Sequence, residues 1–254
     1  MSQSTTLATR PSETNAKHHP QAIGTSHQLS RWGGAAGLGG ALSLIGSVIV
    51  VVGMGLPDAS DVETLTDFAN IETGRIAEHF FYLGALVLFA LHVFVLQRLL
   101  RPAHEAASLF GAVIASFGLV IMAASSVLHV STAPLAELYT SPDTPAGDTR
   151  AIEYAWHGTQ SIFDTMLATG LLLVPIGIVL FGIAMRKSPA FGSALGFIAI
   201  ALGLIGTIGA VWEVIDTTTA FSAGSVLAIA LFHLVVGWRT LRLDPRATTE
   251  INLT

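Results

Sequence analysis

The chain has 254 residues, of which 52% are hydrophobic and only 11% are charged, and its mean hydropathy is +0.65. Soluble domains carry about 25% charged residues, so this composition excludes a water-soluble globular protein. The chain has no cysteine, which excludes disulfides, iron–sulfur clusters, thiolate zinc sites and covalent c-type haem. The formal net charge is −5, and no clustered basic surface is present, so we expect no nucleic-acid partner.

Six apolar runs reach the ~20 residues that a helix needs to cross a bilayer. They predict an all-α polytopic membrane protein with six transmembrane helices in one bundle, and the lipid bilayer is its expected partner. The predicted spans are 33–56, 77–100, 107–130, 158–184, 190–214 and 219–238, within a transmembrane domain over 30–240. The polar residues 1–29 predict a disordered tail without the apolar core of a signal peptide, and 241–254 predict a second tail.

The basic residues predict the orientation of the bundle. Of the 12 Lys and Arg residues, all except Arg75 and Arg150 fall on one side of the predicted spans. Because Lys and Arg are retained on the cytoplasmic side, both termini are predicted to be cytoplasmic. The two longer connections, 57–76 and 131–157, are then outer loops, and most carboxylates fall on that outer side.

Small residues predict how the helices pack. The first and fifth spans are rich in glycine, including Gly37 and Gly40 in the first and Gly196 and Gly203 in the fifth. Such residues let helix backbones approach closely, so both spans are expected inside the bundle. The same glycine faces would suit a homo-oligomer or a membrane partner. Pro175 is expected to kink the fourth span, and the four Trp residues are expected to anchor the spans at the membrane interfaces.

Two inner turns carry a weak internal repeat and a family resemblance. Leu99-Leu100-Arg101-Pro102 leads into Leu109-Phe110-Gly111, and Met185-Arg186-Lys187-Ser188-Pro189 leads into Phe191-Gly192. With six spans and an acidic loop before the second, the chain resembles an uncharacterised bacterial family of six-helix integral membrane proteins, a domain of unknown function. The resemblance covers 33–240 and implies a bacterial inner-membrane protein. It implies no activity and no catalytic residues.

Three histidines are predicted at one depth near the outer boundary: His79 opens the second span, His129 closes the third and His157 opens the fourth. Imidazoles with nearby carboxylates suit zinc, copper or iron, so these three residues are the candidate metal ligands. A metal with an open coordination position could support an oxidoreductase or a hydrolase. The alternative is that these groups are only solvated at an aqueous boundary.

Two carboxylates complete the outer candidate site. Asp164 lies seven residues after His157 and therefore on nearly the same helix face, about 10 Å deeper. Glu213 lies at the outer end of the fifth span. Together they are the candidate catalytic residues of a metal site, or, with His92, the lining of a pathway in a small proton-coupled permease.

A second histidine pair is predicted deeper in the membrane. His92 in the second span and His233 in the sixth each lie roughly 13 residues, or ~20 Å, below the outer end of their helix. At matched depth they could bind a b-type haem as axial ligands, or form a neutral hydrogen bond between helices.

Several other classes of protein are excluded because the sequence lacks the residues that they require. Lys17 and Lys187 are the only lysines and lie outside the spans, so a retinal Schiff base is excluded, and no phosphate-binding or serine-hydrolase motif occurs. Three hypotheses remain: a membrane metal or haem protein, a proton-coupled carrier, and a non-catalytic subunit that binds partner helices.

Overall fold

The structure, a computed structural model, describes residues 21–56, 65–215 and 222–243, with backbone alone for 21–27 and 222. Across these residues the protein is all-α, and six of its helical stretches are long and apolar enough to cross a membrane, as predicted. Its helices are α1 (Gln21–Met54), α2 (Leu65–Leu100), α3 (Glu105–Val130), α4 (Ala133–Thr140), α5 (Ala146–Arg186), α6 (Gly192–Ile215) and α7 (Ser222–Leu241).

The six long helices form a closed ring. Following the chain, α1 packs against α2, α2 against α3, α3 against α5, α5 against α6, α6 against α7, and α7 returns to α1. Helix α5 also reaches across the ring to α2 and α7. Since the turns between α2 and α3 and between α5 and α6 are short, neighbours in sequence become antiparallel neighbours in space.

Glycines set the closest helix contacts. A Cβ added to Gly177 of α5 would lie 2.7 Å from the Cβ of Ala115 on α3, and one added to Gly203 of α6 would lie 2.7 Å from the carbonyl oxygen of Pro175. On α1, Gly37 lies against His92 and Gly40 against Phe89. The glycine faces of the first and fifth spans are therefore occupied within this chain. A homo-oligomer or partner through them stays a prediction.

Several helices are longer than the predicted spans. Helix α2 begins at Leu65 and α5 at Ala146, about three turns before 77 and 158, and α4 lies within the predicted outer loop 131–157. Helix α1 begins at Gln21, so the last part of the tail predicted at 1–29 is helical. Residues 1–20 of that tail and residues 244–254 of the second tail lie outside the described residues. Hydropathy identifies the apolar segment of a helix that crosses the membrane. It does not detect the polar turns by which the same helix continues beyond the membrane, and this explains the difference.

The extensions form a small structure that we call the outer cap, made of 65–76 of α2, α4 and 146–157 of α5. Leu65, Phe68, Ala133, Ala136 and Trp156 form its apolar core. Trp156 is only 2% exposed, so its predicted role as an interfacial anchor is wrong. Burial of these apolar side chains explains why segments with exposed polar residues are helical.

Candidate functional site

Two of the predicted outer histidines are in contact inside the bundle. The ring centroids of His79 on α2 and His129 on α3 are 4.9 Å apart, and the residues are 5% and 0% exposed. The Nδ1 of His79 is hydrogen-bonded to the Oγ of Ser126 at 2.9 Å. On the α5 side, the ring of Phe163 lies 4.5 Å from that of His129. Side chains of three helices thus enclose the pair.

The polar contacts continue from this pair onto α5. Gln160 lies next to His129, although neither ring nitrogen of His129 makes a well-formed hydrogen bond. The Nε2 of Gln160 donates to the Oδ1 of Asp164 at 3.4 Å, and Asp164 is half-buried. The Nε2 of His79 is buried without a hydrogen-bond partner among the described residues. We call His79, Ser126, His129, Gln160 and Asp164 the outer histidine cluster.

A buried ion pair lies one turn from His79. Arg75 and Glu78 are joined at 2.7 Å, with side chains 1% and 15% exposed. Removing one partner of a buried pair leaves an uncompensated charge, so the two residues depend on each other. The sequence prediction placed Arg75 in an outer loop and missed this role. The signal was present, since Arg75 departs from the positive-inside pattern and stands three residues before Glu78 on a shared helix face.

The outer cap shields the cluster. Phe68 contacts the His129 ring edge-on at a centroid distance of 5.5 Å and is 0% exposed. Phe68 belongs to the same apolar group as Trp156. The cluster therefore has an apolar layer next to it on the outer side, where the sequence predicted the outer loops 57–76 and 131–157.

His157 does not join the other two histidines. Its side chain is exposed, and its ring contact is with Trp156, at a centroid distance of 5.0 Å. Helix α5 turns Gln160 and Phe163 toward the bundle, and His157 lies about 120° around the helix from Phe163. The predicted three-histidine ligand set is thus not assembled. Over the described ranges, no group of three or more His, Asp or Glu side chains could hold a metal ion.

Glu213 lies apart from these residues along the ring of helices. It is half-buried on α6, which packs mainly against α5 and α7, whereas the outer histidine cluster is built on α2, α3 and α5. Of the two predicted catalytic carboxylates, Asp164 is the one that the structure places in the cluster.

The deep histidines form a direct hydrogen bond between helices. The Nδ1 atoms of His92 on α2 and His233 on α7 are 2.8 Å apart, and both residues are 0% exposed. Phe89 stacks on His233 at a centroid distance of 3.8 Å and an interplanar angle of 14°. Gly37 of α1 closes the site, because a Cβ at this position would lie 2.7 Å from the Nδ1 of His92. One ring must donate its Nδ1–H and the other accept it.

This arrangement does not fit a b-type haem held by both histidines. Two axial imidazoles bind iron from opposite faces of the porphyrin, so their nitrogens must be separated by the ring and the metal. Here the two rings are joined by a hydrogen bond, and Phe89 covers one of them. Of the two alternatives that the sequence left open for His92 and His233, the structure has the hydrogen bond between helices.

The fold and these buried polar groups define a multi-pass α-helical membrane protein. The chain belongs to the family described as Domain of unknown function (DUF4386), whose model matches residues 28–238. The match begins and ends within a few residues of the predicted transmembrane domain, 30–240. Neither the curated proteins nor the solved structures include a match to the chain.

Proposed function

We propose that this protein is a small proton-coupled carrier and that the outer histidine cluster is its proton-binding site. One observation carries the proposal. Polar side chains of three helices form a continuous set of neighbours inside the bundle, from half-buried Asp164 through Gln160 to the two imidazoles and Ser126.

The energetic cost of the cluster supports a functional role. Ionisable groups inside a bilayer cost several kcal/mol, and those that are retained mark ion pathways and proton relays. His79 and His129 are buried and have ring nitrogens without well-formed hydrogen bonds. An imidazole can accept a proton at one nitrogen and release one from the other, so adjacent rings suit proton transfer.

The nearest charges act in opposite directions on a proton in the cluster. Arg75, one turn from His79, carries a positive charge that repels a proton on His79 or His129. Its salt bridge with Glu78 brings a negative charge close to that guanidinium group and reduces the repulsion. Asp164 supplies an acceptor at the other end of the cluster.

Helix α5 contains a proline within its apolar span. Pro175 lies inside this helix and removes one backbone hydrogen bond, while Gly203 and Gly206 of α6 pack directly on it. Broken or weakened helices at the middle of a span are typical of transporters. A bend at Pro175 would move Gln160 and Asp164 relative to α3.

The metal-dependent enzyme is less well supported. A zinc, copper or iron site with an open position takes three protein ligands, and among the described residues only the imidazoles of His79 and His129 meet in this cluster. Metal binding by His79 and His129 stays a prediction that elemental analysis of untagged protein checks.

Proton flux in liposomes tests the outer histidine cluster as a proton-binding site. With an imposed membrane potential and an internal pH dye, the wild-type protein should carry protons. The variants His129→Asn and Asp164→Asn should each reduce this flux ~10-fold or more, because a positioned proton-transfer group contributes at least that much. His157→Asn is the matched control, since His157 is exposed on the same helix as Asp164, and its flux should stay within about twofold of wild type.

Two results would contradict the proposal. One is wild-type flux in the Asp164→Asn variant. The other is stoichiometric metal in the wild-type protein that a His79→Asn/His129→Asn double variant loses, because the cluster would then be a metal site.

We also propose a bacterial plasma-membrane location with both termini cytoplasmic. The chain has no cysteine, so single introduced cysteines report topology without background. In intact cells a membrane-impermeant maleimide should label Gly147→Cys, at the outer start of α5, and should label Lys187→Cys only after lysis. The reverse pattern would invert the proposed orientation.

A further inference from the structure

A cavity lies between α1 and α7 at the basic end of the bundle. Its volume is about 360 Å³, and its lining residues are Gln28, Arg31, Trp32, Ala35 and Leu241. Gly34 brings the two helices together beneath it, because a Cβ at this position would lie 2.7 Å from the Cα of Leu241. Trp32, Ala35 and Leu241 thus form apolar walls, while Gln28 and Arg31 add an amide and a guanidinium group to the lining.

Arg31 differs from the other basic residues near this end of α7. The Nε of Arg239 donates to the carbonyl oxygen of Ala190 at 3.0 Å, and the guanidinium of Arg242 lies 3.9 Å from the centre of the Trp238 ring. Arg31 is exposed and forms no ion pair within the part of the chain that the structure describes. Helices α1 and α7 themselves contain no Asp or Glu.

The position of Trp32 places the cavity at the membrane interface. Its side chain is 77% exposed, and it stands at the beginning of the apolar run of α1. Tryptophan at the end of a span marks the level of the lipid headgroups. A guanidinium group at this level is within reach of a phosphate, and apolar walls below it are within reach of an acyl chain.

We infer that this cavity binds an anionic phospholipid. Arg31 binds the phosphate, for which a guanidinium offers paired donors, and Trp32, Ala35 and Leu241 contact the upper part of one acyl chain. Basic pockets between transmembrane helices are typical sites for anionic headgroups. This site is separate from the outer histidine cluster, because it lies at the opposite end of the bundle.

Native mass spectrometry of the full-length protein in detergent tests the inference, with phosphatidylglycerol and phosphatidylcholine as probes. Loss of one cationic contact should weaken binding of the first phosphatidylglycerol ~5-fold in Arg31→Gln. Lys187→Gln removes one positive charge from an exposed turn at the same end and should change it by less than about twofold. Ala35→Phe keeps every charge and should also weaken binding, because it fills the cavity.

The outcomes separate the possible ligands. Equal losses in Arg31→Gln and Lys187→Gln would show diffuse attraction to a basic surface and overturn the inference. Inorganic phosphate that binds the protein as tightly as phosphatidylglycerol does, or an Ala35→Phe variant with wild-type affinity, would show an ion site without acyl-chain recognition and also overturn it. Tighter binding of phosphatidylglycerol than of phosphatidylcholine by the wild-type protein, with selective loss of phosphatidylglycerol in Arg31→Gln and Ala35→Phe, would support it.

Discussion

Gly177→Leu should strongly destabilise the protein, by about 3 kcal/mol or more, because there is no space for its side chain between α3 and α5. A Cβ at this position would lie 2.7 Å from the Cβ of Ala115, 2.8 Å from the carbonyl oxygen of Gly111 and 2.9 Å from the backbone nitrogen of Ala115. Two of these atoms belong to the backbone, so relief requires that the helices move apart. Thermal unfolding in detergent should show a decrease in Tm of about 10 °C.

Gly158→Leu is the matched control on the same helix. A Cβ at Gly158 meets no atom within 4 Å among the described residues, and leucine favours a helix over glycine by roughly 0.5–1 kcal/mol. Its Tm should therefore be unchanged or slightly raised. Equal decreases in the two variants would mean that α3 and α5 do not pack as closely as the structure has them.

The deep histidine pair should behave as a coupled unit. His92→Leu leaves the Nδ1 of His233 buried without its partner, and His233→Leu does the same to His92, so each should cost about 1–3 kcal/mol. The double variant His92→Leu/His233→Leu removes both polar groups and replaces them with side chains of similar size. It should be no less stable than either single variant, as a double-mutant cycle of unfolding free energies would measure.

The same variants separate the two histidine pairs. His92 and His79 stand 13 residues apart on α2, and buried Ala85, Leu86 and Phe89 lie between them in sequence. If only the outer histidine cluster carries protons, the deep double variant should keep wild-type proton flux. If the losses of unfolding free energy in the two single variants add up in the double variant, the hydrogen bond between His92 and His233 is contradicted. If the double variant loses proton flux, the deep histidine pair belongs to the proton pathway.

Much of the fold could be predicted from the sequence. A bilayer requires about 20 apolar residues per helix, so hydropathy alone predicts six spans and an all-α bundle. Depth also follows from position, because each residue adds 1.5 Å along a helix. The sequence predicted His79 and His129 at one depth and His92 and His233 at another, and in the structure the members of each pair are in contact.

Rotation about each helix axis could not be predicted in the same way. His157 has the right depth for the outer cluster, yet α5 turns Gln160 and Phe163 inward and leaves His157 exposed. Which face points inward depends on where Gly170 and Gly177 meet α3, and this is a property of two helices together.

The outer cap was likewise decided by tertiary structure. Its helices carry too many polar residues to appear as spans, and they are stabilised by contacts among Phe68, Ala136 and Trp156 that lie far apart in sequence. The sequence by itself determined how many helices cross the membrane and how deep each histidine lies, because bilayer thickness and helical rise act on each segment separately. Only the tertiary structure decided which histidines meet, that Arg75 is buried, and that a cap covers the cluster, because these depend on contacts between segments.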